Sequence, residues 1–130
     1  MNQKWLEKLL KSPKIFELHQ ELQKGASVLT EELWNSPKAL VAALAQQATA
    51  KHVLILTGAS QEEVRLFHDF PFFTENPVID FPAWETLPSE NVAPSPDIVG
   101  ERYAALHKLS TLKQPHIILS GLQAVLQKIL

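Results

Sequence analysis

HVLILT, residues 52–57, is an unbroken apolar run that closes on a β-branched threonine. It is short for a helix and lacks polar alternation, which predicts a strand covered by helices on both faces. Thr57-Gly58-Ala59 turns the chain after it. Ser60 and Glu63 then have the spacing of a capping box for a helix over 61 to about 70. Upstream, Ser36-Pro37 predicts the start of an apolar helix over 38–49. ASVLTEEL, residues 26–33, reads as a short strand running into a turn. Downstream, VIDF at 78–81 and HIIL at 116–119 read as two further strands, with a helix from Pro96 to about 112 between them. Ser120 and Gln123 form a second capping pattern, which opens a last helix. The N-terminus carries two amphipathic helices. Ser12-Pro13 separates them and Gly25 is the expected stop of the second. Strands alternating with helices predict the α/β class, with a mainly parallel sheet, helices on both faces and right-handed crossovers. The expected division is N-terminal helices in 1–25 and an α/β subdomain in 26–130.

Composition narrows the chemistry. At 130 residues the chain holds one domain with a real core, and 45% apolar residues fit a globular protein. Twelve basic and fourteen acidic side chains give a net charge of −2, so no global field draws nucleic acid or anionic lipid. Lys4, Lys8 and Lys11 make a small basic helix face that reads as solvated. The absence of cysteine excludes disulfides and cysteine-based zinc sites and permits a reducing cytoplasm, the expected location. MNQKWLEKLL has no apolar core of a signal peptide, and no run approaches the ~20 apolar residues of a membrane span. AVLQKIL, the apolar helical pattern on which the chain stops, predicts that the natural polypeptide continues past Leu130.

A parallel sheet directs attention to the turns where strands lead into helices. Neither phosphate-binding glycine pattern is present, and there are only four glycines. At the first such turn stand Trp34, Asn35, Ser36, Pro37 and Lys38. A bulky indole and a proline without an N–H replace the inward-turned amides of a phosphate cradle. Lys38 alone retains phosphate-binding chemistry. Gly58-Ala59-Ser60-Gln61-Glu62 lacks the second glycine of a nucleophile elbow, and helix capping accounts for Ser60. Glu62 and Glu63 read as first-turn carboxylates stabilised by the helix dipole, without an acid–base role. The five histidines, His19, His52, His68, His107 and His116, never fall four apart and read as isolated surface or strand-edge residues. No residue is therefore expected to be catalytic or to bind metal.

The long connection FPAWETLPSENVAPSPDIVGER, 81–102, contains four prolines and ends as a helix start. Ser95 is the expected cap, Pro96 the first helical residue and Asp97 a first-turn acid. Trp84 either plugs this loop onto the core or stands as an exposed anchor for another domain or chain.

Trp84, Glu85, Thr86, Leu87 and Pro88, followed by Asp97, Ile98 and Arg102, closely resemble a stretch in the N-terminal region of the bacterial transcription-repair coupling factors. ALVAALAQQATAKHVLILT is similar to the first strand region of a helicase-like domain, and HIILSGLQAVLQKI resembles the strand and helix that follow. The resemblance covers roughly residues 15–130. It implies a fold like the first domain of the excinuclease subunit UvrB, descended from an ATP-binding helicase but without a phosphate loop. Trp34 to Lys38 agree with that loss. The connection has no tyrosine and is too short for UvrB's DNA-clamping hairpin. The resemblance implies a non-catalytic scaffold with no cofactor of its own, inside a larger ATP-dependent DNA translocase. ATP and Mg would bind the parent's motor. UvrA, RNA polymerase and double-stranded DNA would be partners of its other domains. The competing readings are a UvrB-type subunit that binds ATP and damaged DNA, and an unrelated stand-alone α/β enzyme.

Overall fold

The structure, a computed structural model, describes residues 1–84, 86 and 91–127. Helix α1 spans Gln3–Leu9 and α2 spans Pro13–Gln23. Asn2 caps α1 by accepting from the Lys4 amide at 2.9 Å. Gly25, with φ of 78°, ends α2 as expected. Its amide donates to Leu22 O, and the Ala26 amide reaches back to Glu21 O, the paired bonds of a Schellman stop. Residues 26–33 contain no strand. This is the first correction. Val28 and Thr30 suit a strand, but among the described residues no neighbouring strand lies alongside to satisfy the backbone groups.

Helix α3, Ser36–Thr49, leads to strand β1, Val53–Thr57. Helix α4, Ser60–Asp69, and a single 3₁₀ turn, Phe70–Phe72, lead to β2, Val78–Phe81. Helix α5, Pro96–Thr111, precedes β3, Ile117–Gly121, and the short α6, Leu122–Leu126. All strands are parallel in the order β1-β3-β2, with β3 hydrogen-bonded on both sides. The α/β class is thus as expected, with three strands among the described residues rather than four.

Register assigns the faces, because paired residues of parallel strands point the same way. Ile55, Leu119 and Val78 share the face of Ile117. Ala39 from α3, Leu66 from α4 and Phe70 pack there around Ile117 and Leu119. Phe70 and both strand residues are fully buried, and an aromatic ring so placed contributes about 2–3 kcal/mol. The opposite face carries Ile79, Phe81, Ile118 and Ser120, with α5 on β2 and α6 on β3. Among the described residues neither helix packs extensively on β1. Leu54 and Leu56 therefore stay 56% and 49% exposed, and among the described residues β1 is well covered on one face only, contrary to its apolar sequence.

Both capping boxes also fail. The residue before α4 is Ala59, which places Ser60 inside the first turn with no side-chain cap. Ser120 remains in β3, where its hydroxyl donates to Phe81 O at 3.1 Å, and Gly121 takes the cap position of α6. No helix of the described residues is long and apolar enough to cross a membrane.

Candidate functional site

The turn at 34–38 closes against α4. Asn35 begins α3 with φ of 58°, a strained conformation for a residue with a Cβ. Its side chain accepts from Arg65 Nη1 at 3.1 Å instead of capping its own helix. Ser36 Oγ donates to Asp69 Oδ2 at 3.2 Å, and the Lys38 ammonium is ion-paired with Glu62. Trp34 is 76% exposed beside them. A cavity of about 230 Å³ lies among these groups. The geometry spends Lys38 on a carboxylate from the next helix, so its charge is balanced within the chain. The Lys38 amide donates to Asn35 O, and Pro37 has no N–H to offer an anion.

The second cluster is built on α5. Ser95 accepts from the Ile98 amide at 3.4 Å, Pro96 starts the helix and Asp97 is an exposed first-turn acid, all as expected. Arg102, one turn further on, is 4% exposed. Its Nη1 donates to Pro82 O at 2.7 Å, to Ala124 O at 3.3 Å and to Gln127 Oε1 at 3.5 Å. Its Nη2 donates to Gln127 O at 3.5 Å. The guanidinium lies 4.4 Å from the centre of the Phe81 ring and 5.4 Å from that of Trp84. Burial lowers its pKa from the usual arginine value, yet a guanidinium remains charged. Among the described residues its partners are neutral oxygens and ring faces, which replace lost water through charge-assisted and cation–π contacts.

Trp84 is half-buried, and its amide donates to Gln127 Oε1 at 2.6 Å. Gln127 Nε2 returns a bond to Trp84 O at 3.4 Å. The start of the proline-rich connection is thus fastened to the end of α6, with Arg102 beneath it. The structure brings Trp84 and Arg102 together and leaves Asp97 outside the cluster. Thr86 is half-buried, while Glu85, Leu87 and Pro88 lie outside the described residues. Gln127 was not foreseen. AVLQKIL reads as continuous helix, but α6 stops at Leu126 and Gln127 turns extended, with ψ of 139°. It stands 43 residues from Trp84, so no local spacing announces the pairing.

A third feature sits at the carboxyl end of the sheet, where open α/β sheets hold their ligands. Glu63, read from sequence as an ordinary first-turn carboxylate, has its pKa pushed up to about 7. Burial is the main cause, followed by a hydrogen bond to Asp80 and the repulsion of that carboxylate. A Cβ at Gly121 would stand 3.3 Å from Glu63 Oε2, so the glycine makes room for the pair. Thr57, at the same end of the sheet, is 5% exposed, and its hydroxyl has no hydrogen-bond partner among the described residues. Near neutral pH the Glu63 carboxyl is therefore held close to half-protonated beside Asp80. Among the described residues no group of three or more His, Asp or Glu side chains is placed to hold a metal.

The histidines need a further correction. His116 is fully buried, its ring 5.3 Å from that of His52, and the His52 Nδ1 accepts from the His116 amide at 3.0 Å. His19 is also buried, with Nε2 2.7 Å from Gln47 Oε1. Sheet pairing creates the first pair from residues 64 apart in sequence.

In sequence, 94 residues of the chain are 29% identical to the transcription-repair-coupling factor of Escherichia coli (strain K12). The similarity spans 72% of this chain and 8% of that protein's length. No family model matches the chain, and no solved structure matches it.

Proposed function

We propose that the chain is a non-catalytic structural and interaction module of a transcription-repair coupling factor, a role in transcription-coupled nucleotide excision repair. The 94-residue similarity to the Escherichia coli coupling factor carries this reading. The clamp that joins Trp84, Arg102 and Gln127 supports it, since it gives the motif-bearing connection a fixed seat on the sheet. On this reading residues 26–130 are a degenerate helicase-like subdomain related to the first domain of UvrB, preceded by the helices of 1–25. Residues 34–38 are a phosphate loop turned into an internal tie, because Lys38 is held by Glu62. The module binds no ATP, and its part is to scaffold the domain that recruits UvrA. The motor, with its ATP and Mg, and the contacts to RNA polymerase and double-stranded DNA belong to the rest of the cytoplasmic parent protein.

The test is a chimera in which this chain replaces the similar segment of the Escherichia coli factor. Strand-specific repair and UvrA capture should both persist, and Arg102→Ala in the chimera should lower both while polymerase release continues. A folded chimera that releases polymerase but neither captures UvrA nor repairs would overturn the proposal. A fluorescent ATP analogue separates the other reading. Binding to the isolated chain that falls about tenfold or more in Lys38→Ala would point to a UvrB-type nucleotide site.

A further inference from the structure

The stretch 26–33 has the composition of a strand and the surroundings of a binding edge. Residues 26–31 run without a turn or bend, between left-handed Gly25 and Glu32, whose φ values are 78° and 59°. Residues 26–32 are all exposed. Among the described residues, no backbone hydrogen bond joins 27–33 to the rest of the molecule. Their N–H and C=O groups therefore face water in an extended segment that carries the β-formers Val28 and Thr30, the condition under which an added strand gains a ladder of bonds.

A groove lies beside this edge. A cavity of about 630 Å³ opens between the segment and helices α2 and α3, a size that accommodates two or three large side chains. Leu18 from α2, with Leu40, Val41 and Leu44 from α3, line it opposite Val28 and Leu33. Its charged lining is one-sided. Glu17, Glu21 and Glu31 stand there with Lys14, and Lys24 holds Glu21 in an ion pair at 3.2 Å, so the acidic excess is carried by Glu17 and Glu31. Leu29, 83% exposed, also lines the groove.

We infer that residues 27–33 accept an extended segment of a partner protein, which adds as a strand. Its alternate apolar side chains fill the α2–α3 groove and its basic flanks meet Glu17 and Glu31. Main-chain bonds supply affinity, the groove selects apolar side chains at every second position, and the acidic rim selects positive charge. A helix is disfavoured as occupant because it brings no unpaired main-chain groups to the edge. The inference stands on these residues alone and holds whether or not the chain serves DNA repair.

The probe is a fluorescein-labelled peptide of about ten residues alternating valine with lysine, titrated into the 130-residue chain by polarisation. A dissociation constant in the range of about 1–100 μM is expected. Methylating alternate backbone nitrogens of the peptide should weaken binding about tenfold or more, with side chains unchanged. Glu31→Lys should weaken it about threefold or more at low salt. Hydrogen exchange reads the contact directly. Amides of 27–33 should exchange rapidly in the chain alone and slow about tenfold or more with peptide bound. Equal binding of the methylated peptide, binding without protection of 27–33, or no binding up to about 1 mM would overturn the proposal. So would concentration-dependent protection of 27–33 without peptide, which would make a second copy the occupant.

Discussion

Arg102 and Lys38 are both cations on helices, Arg102 in the second turn of α5 and Lys38 in the first turn of α3, and each is fastened to a neighbouring element. Arg102 is 4% exposed and meets only neutral oxygens and ring faces among the described residues. The Lys38 side chain is 41% exposed and meets a full carboxylate. The ion pair looks stronger on paper, yet solvent screens it and two flexible side chains must be ordered to form it. The guanidinium, out of water, cannot lose its fork of partners without leaving carbonyls unpaired. Burial rather than formal charge decides which cation holds the fold.

Substitutions can break this contrast. Arg102→Ala should cost the most, about 2–4 kcal/mol in a denaturant titration, because it strands the oxygens of Pro82, Ala124 and Gln127. Arg102→Lys should recover little of it, since an ammonium lacks the planar fork. A loss below about 1 kcal/mol would remove the clamp from the structural account. Trp84→Ala should follow at about 1–3 kcal/mol, less than for a fully buried tryptophan because the ring is half-exposed. Made together, the two substitutions should fall short of the sum by about 0.5 kcal/mol or more, and strict additivity would show that ring and guanidinium do not interact.

Glu63 sharpens the comparison through pH. Its folded pKa of about 7 lies above the ordinary 4.5, so the folded state holds a proton that the unfolded state releases between these values. The stabilisation is complete below about pH 4.5 and lost as pH rises through about 7. Glu63→Gln should flatten that slope and raise stability at pH 8 by about 1 kcal/mol, a figure reduced for solvent screening. Thermal midpoints across the pH range measure it, and an unchanged slope would refute the raised pKa of Glu63. Lys38→Ala should do least, under about 0.5 kcal/mol, with a salt dependence that vanishes along with the pair. A larger loss would mean that the turn at 34–38 is more than a surface tie.

The two β-rich stretches show how far sequence reading reaches. HVLILT and ASVLTEEL both have strand composition, yet the first pairs with β3 and the second pairs with nothing among the described residues. Composition reports what a backbone tolerates, and pairing depends on what lies 5 Å away. Local signals that concern a residue's own turn fared better. Pro13, Gly25, Ser95 and Pro96 all stand where their chemistry placed them, because a cap is satisfied within a few residues. The capping patterns at Ser60 and Ser120 failed where tertiary contacts offered more. Glu63 is drawn to Asp80, and Ser120 bonds Phe81 across the sheet. At the candidate site, Trp84 and Arg102 were legible as a motif, but their seat on Gln127 was not.

The sequence by itself determined the α/β alternation, most helix boundaries and the absence of a glycine-rich phosphate cradle, since each depends on neighbours in the chain. Tertiary structure alone decided the strand order β1-β3-β2, the open face of Leu54 and Leu56, the capture of Lys38 by Glu62, the raised pKa of Glu63 and the clamp around Arg102. Those features join residues about 20 to 60 positions apart, and their energies come from desolvation and pairing that exist only once the sheet has assembled.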